Sequence, residues 1–138
     1  MQYKYYPLEA KPFGSNKKRL LWRPIIEVIL ISNNKLVSHP ILLDTGADVS
    51  LFKANVADLL GIKPTSGKRK KVRGIGNTEI SGFEHPFNIR VPGLKIVKTK
   101  AVFTNDLPKY SVSIAGNLGF FDKFKVTFDS KNKTIGVS

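Results

Sequence analysis

The chain has 138 residues, of which 41% are apolar and 24% charged, with 11 Gly, 8 Pro and no Cys. This length suits one domain with a single core, and the composition excludes collagen-like, coiled-coil and wholly disordered chains. The missing thiols exclude a disulfide scaffold, a thiolate zinc site and a cysteine nucleophile, while 23 Lys and Arg against 10 Asp and Glu leave a net charge of +13 that draws nucleic acid, anionic membrane or acidic peptides.

Residues 1–23 read as a basic, aromatic arm with an edge strand near its end, ahead of a domain over residues 24–138. The arm has no apolar run of signal-peptide length, and the longest apolar stretch, residues 25–31, is broken by Glu27. Neither a signal peptide nor a membrane span is expected, and the cytoplasm is the default compartment. Residues 25–31 are β-branched or aliphatic and predict a strand; Ser32-Asn33-Asn34-Lys35 supplies a hairpin turn, and residues 36–43 return, with Pro40 marking an edge or bulge. Asp44 then leaves the strand into a tight turn at Thr45-Gly46. A short helix is expected next, with Asn55 as its N-cap, Asp58 in its first turn and Gly61 as its stop.

Residues 64–71 read as a polar, basic loop. Residues 72–83 carry Gly74, Gly76 and Gly82 among β-formers and predict a long hairpin turning at Gly74-Ile75-Gly76-Asn77. Phe87, Ile89 and Val91 alternate with polar residues as a half-buried strand, Pro92-Gly93 turns, and residues 94–103 return. A short strand over residues 111–115, a capped helix over 117–124 and a closing hairpin over 126–137 complete the chain. Many short strands and two small helices make a mainly β domain of closed or sandwich type.

The sharpest feature is Ile41-Leu42-Leu43-Asp44-Thr45-Gly46-Ala47-Asp48. A carboxylate directly after a buried strand costs several kcal/mol to desolvate without a partner, about enough to demand a reason for it. Glycine two places on permits turns closed to residues with a Cβ, and threonine offers a hydroxyl to tie the turn down. With 6 Asp, 17 Ser or Thr and 11 Gly in the chain, Asp-Ser/Thr-Gly is expected by chance about 0.06 times. An Asp closing an ordinary Asx-turn is the plain alternative.

Over residues 24–137 the chain resembles the retropepsin-type aspartic proteases. Residues 42–48 resemble that family's active-site strand and loop, residues 72–83 its flap, Ile114-Ala115-Gly116-Asn117 its apolar-apolar-Gly segment, and residues 120–137 the tail of cellular and bacterial members. The resemblance implies a small closed β barrel with one or two short helices, a two-fold homodimer, a peptide or protein substrate, and peptide-bond hydrolysis without metal or cofactor.

Two carboxylates must share a proton in such chemistry, one as base for water and one as acid. Asp106, Asp122 and Asp129 are not followed by Ser/Thr-Gly, so the second carboxylate has to be Asp44 of another copy. By the same resemblance, Thr45 bonds across the dimer axis and Gly46 offers its carbonyl to substrate. Ala47 and Asp48 line the binding site, where Asp48 accepts a substrate N–H; its plain alternative is a helix cap or ion pair. Gly74, Ile75, Gly76 and Asn77 close over the substrate, or else form an ordinary exposed hairpin. The chain departs from the family at Asn117-Leu118, which halves an expected link to the active-site loop, in lacking Gly-Gly pairs in the flap, and at Arg73, placed to alter substrate preference or closure.

Two other classes stay open. The same fold can serve as an inactive dimerisation or binding module. Alternatively Lys68-Arg69-Lys70-Lys71 with Arg73 serves a nucleic-acid-binding domain, although no RNA-binding signature is present and residues 61–68 miss the phosphate-loop spacing.

Overall fold

A computed structural model describes residues 1–12, 14–109 and 111–138, with the side chain of Ile75 left outside the description. Strand β4 (Ile25–Ser32) buries Ile26, Val28 and Leu30, the alternation that a half-buried strand needs. Asn33 and Asn34 both take positive φ, 49° and 62°, the two-residue turn whose twist suits a hairpin and which asparagine tolerates. It returns the chain as β5 (Lys35–Leu43), pairing Ser32 with Lys35 and Glu27 with Pro40. The other neighbour of β5 joins only from Ile41, so Pro40 needs no N–H on that side.

That neighbour is β10 (Ser113–Ala115), parallel to β5. Beyond it come β6 (Leu51–Lys53), β9 (Val97–Thr104), β8 (Glu79–Arg90) and β7 (Lys68–Arg73), in that order. The far end of β8 also pairs with β4, Leu30 opposite Ile89. The sheet therefore curls round on itself, with β7 appended outside.

Its interior holds Phe52, Phe87 and Phe103, with ring centroids 5.4 to 5.9 Å apart and tilted or edge-on. This is the arrangement aromatic rings favour in a core.

A three-stranded sheet, β1 (Gln2–Lys4), β12 (Thr134–Val137) and β11 (Val126–Asp129), lies beside it, and β2 (Tyr6–Ala10) pairs with β3 (Arg19–Arg23) as a separate hairpin. The expected arm is thus folded in: the Met1 amino group donates to Val137 O at 2.8 Å, the Tyr3 hydroxyl to Pro92 O at 2.9 Å, and Tyr5 is buried. The hairpin leaves Tyr6, Leu8, Leu20 and Trp22 exposed.

Three expectations are corrected. The basic loop over 64–71 is a single 3-10 turn, Pro64–Ser66, followed by β7, because the backbone of Lys68 to Arg73 pairs with Glu84 to Glu79. Helix α1 (Ala54–Leu59) starts two residues early, with Lys53 at its cap position and no side-chain cap. Strand β6 runs straight into it, leaving Asn55 inside the helix and Asp58 beyond its first turn; Gly61, at φ 68°, closes it as expected. Residues 117–124 are turns rather than a helix. Leu118 forms a bridge with Val49 and Gly119 sits at φ 110°, a conformation no helix contains.

Candidate active site

Asp44 stands at the end of β5, where the backbone is gripped from both sides. Leu43 N–H donates to Pro24 O at 2.9 Å, and Asp44 N–H donates to Ala115 O, the last residue of β10, at 3.0 Å. The chain then turns, with Ala47 N–H on Asp44 O at 3.1 Å and Gly46 N–H on Asp44 Oδ1 at 2.9 Å. Gly46 does not take a positive φ. A Cβ there would lie 3.2 Å from Asp44 Oδ1, so glycine is used for this close approach and not for the left-handed turn expected of it. Among the described residues nothing hydrogen-bonds Asp44 Oδ2.

The other flank of the loop is held by residues 116–118, which run beside it like a strand. Asn117 N–H donates to Ala47 O at 2.8 Å, Leu118 N–H to Asp48 O at 2.9 Å, and Ser50 N–H to Leu118 O at 3.0 Å. The Asn117 side chain adds Nδ2–H to Thr45 O at 3.0 Å. The link expected to be halved is therefore carried by Asn117, while Leu118 contributes only backbone and exposes its side chain.

Gly116 is required here by space: a Cβ would collide with the carbonyl oxygens of Val49 and Ala47. The buried Ser50 closes the arrangement, its Oγ accepting Gly116 N–H at 3.0 Å and donating to Leu118 O at 3.2 Å. Sequence reading passed over Ser50, although a serine inside the apolar run 49–52 is the kind of polar residue that burial makes costly unless bonded.

Asp44, Gly46, Ala47, Asp48, Gly74 and Ile114 line one cleft of about 500 Å³. Its remaining walls are Val49, Leu51, Val72, Arg73 and Ile80. Thr45 is exposed on the loop beside it. Gly76 and Asn77 occupy the tip of the β7–β8 hairpin at φ 76° and 61°, with the backbone of Ile75 in the same turn. Ala115, Gly116 and Asn117 lie behind the loop and hold it. Asp48 is exposed and caps no helix. Among the described residues no group of three or more acidic or imidazole side chains is placed to hold a metal ion, and no helix is long and apolar enough to cross a membrane.

One perturbed group supports the site from behind. His39, on β5, has Nε2 2.6 Å from Ser113 Oγ, which also accepts Lys53 N–H at 3.2 Å. Burial holds the imidazole below the ordinary histidine range; Glu27 pulls it back up and Lys53 adds to the lowering. Neutral His39 therefore stabilises the fold, fully so above the ordinary histidine value and progressively less as the pH falls through its lowered one. An NMR titration should place the His39 midpoint below that of an unstructured histidine; a midpoint at or above it would contradict this packing.

The sequence pattern of the aspartyl protease family matches residues 29–120. The EIAV protease, solved in complex with the inhibitor HBY-793, superposes with a TM-score of 0.52 at 26% identity, covering 76% of this chain and 86% of its own. A retropepsin-like aspartic protease from Rickettsia conorii superposes with a TM-score of 0.53 at 19% identity, covering 96% and 93%. Curated proteins give no match.

Proposed function

Because the chain belongs to the aspartyl protease family, we propose that it is an endopeptidase that hydrolyses peptide bonds with water activated between two Asp44 carboxylates, one from each copy of a homodimer. The observation that carries this reading is the placement of Asp44 in a wall of a cleft, beneath a hairpin, on a loop whose carbonyls are bonded to residues 116–118. A carboxylate fixed that firmly is preorganised, with one oxygen held by Gly46 and the other left to react.

One Asp44 removes a proton as water attacks the carbonyl carbon. The other, protonated, bonds the developing oxyanion, and the amine then leaves with a proton as the C–N bond breaks. Water and the peptide bond are consumed, and a carboxylic acid and an amine are formed. The Thr45 hydroxyl joins the two loops across the axis, while the Gly46 carbonyl and the Asp48 carboxylate receive the substrate backbone. The apolar walls at Val49, Leu51, Val72, Ile80 and Ile114 take uncharged side chains around the scissile bond, and the hairpin tip at 74–77 closes over them to exclude water.

A site completed only across an axis fails when the copies part. Specific activity on a fluorogenic peptide should fall on dilution in step with the dimer fraction measured by sedimentation. Constant specific activity from a monomer would overturn the paired-Asp44 reading.

A further inference from the structure

The catalytic cleft does not end at its apolar walls. Val49 and Val72 are shared with a second cleft of about 200 Å³, whose lining includes Lys70, Lys71, Glu84 and Lys100. The cations of this double cleft are unequally matched. Lys71 lies 3.5 Å from Glu79, and Lys100 lies 3.7 Å from Glu84. Among the described residues, Lys70 and Arg73 have no ion-pair partner. Arg73 stands in the wall of the catalytic cleft, and Lys70 in the adjoining one.

We propose that these two residues select the substrate: peptides carrying an acidic side chain within a few residues of the scissile bond, received by Arg73 and Lys70. The inference rests on the endopeptidase reading and names its substrate class. A peptide lying extended advances about 3.3 Å per residue, so a chain seated over Asp44 carries its neighbouring side chains from the first cleft into the second. Lys70 is half-buried and Arg73 exposed, and both can take a substrate carboxylate because no protein carboxylate among the described residues pairs with them. Nucleic acid suits the surface less well. No aromatic side chain among the described residues lines either cleft for base stacking, and Asp44 and Asp48 would repel a continuous run of phosphates.

Two peptides of equal length with the same apolar pair at the cleavage point, one carrying Glu and the other Gln two residues away, test this on the full chain at one ionic strength. Moving the Glu through the flanking positions finds the best site. The parent should prefer the best Glu peptide in kcat/KM by about fivefold to tenfold, and Arg73→Gln or Lys70→Gln should each reduce that ratio. Equal rates for all pairs, or a ratio unchanged in both variants, would overturn the inference while leaving the protease intact. Fluorescence anisotropy with Asp44→Asn reads the same preference as binding without turnover, and equal Kd values for Glu and Gln peptides would also overturn it. Tight binding of a labelled single-stranded oligonucleotide, lost in Arg73→Gln, with no discrimination between peptides, would assign the strip to nucleic acid instead. If the parent cleaves neither peptide, or Asp44→Asn cleaves as fast as the parent, it is the endopeptidase reading that fails.

Discussion

Asp44→Asn should lower kcat/KM on a peptide substrate by about 10³-fold or more while the chain stays folded. The amide has nearly the shape of the carboxyl group, and its carbonyl oxygen can keep the 2.9 Å bond from Gly46 N–H. It cannot carry the shared proton or act as base for water. Matching circular dichroism and thermal melting of the two proteins, together with the lost rate, would locate the effect in the chemistry. Parent-like cleavage by the variant would remove Asp44 from the mechanism.

Gly116→Ala should be the most damaging single methyl group that can be added at the site. The new Cβ meets two carbonyl oxygens, those of Val49 and Ala47, and neither can retreat. Val49 is bridged to Leu118, and Ala47 O already accepts the Asn117 N–H. Pushing the strand away also breaks the bond from Gly116 N–H to Ser50 Oγ, leaving buried polar groups unpaired. Overpacking and the broken bond together cost about 3 kcal/mol, or roughly 10 °C in Tm for a chain of this size. Activity should fall with it, because the same residues hold Asp44. Gly136→Ala is the control, since its Cβ meets only Thr127 Cβ at 3.8 Å, an ordinary contact. Its melting should stay within a few degrees of the parent's, and equal loss in both variants would contradict the steric argument.

Where local chemistry decides structure, the sequence was readable. The alternation in β4 and around Phe87, the Asn33-Asn34 turn and the Pro92-Gly93 turn each need only neighbours along the chain, and Asp44 announced itself as a charge at the end of an apolar strand. The failures share a different cause. Leu118 is drawn out of a helix by a bridge to Val49, a residue 69 positions away, and β1 exists because β12, at the other end of the chain, offers it an edge. Among the described residues strand β7 has a partner on one side only, so most of its Lys and Arg side chains stay exposed, Lys70 being half-buried, while its backbone pairs, and composition then points to a loop. Ser50 was missed because its role lies in two backbone groups, Gly116 and Leu118, which a sequence does not place beside it.

Peptide hydrolysis by this chain requires two Asp44 carboxyl groups in one site. An experimentally determined structure of the assembled protein measures it directly, through the separation of those groups. A two-fold axis should pass between the Asp44 loops, with the nearest carboxyl oxygens about 3 Å apart, close enough to share a proton. An assembly that holds the two Asp44 side chains on remote faces, or a monomer at concentrations where peptides are cleaved, would contradict it.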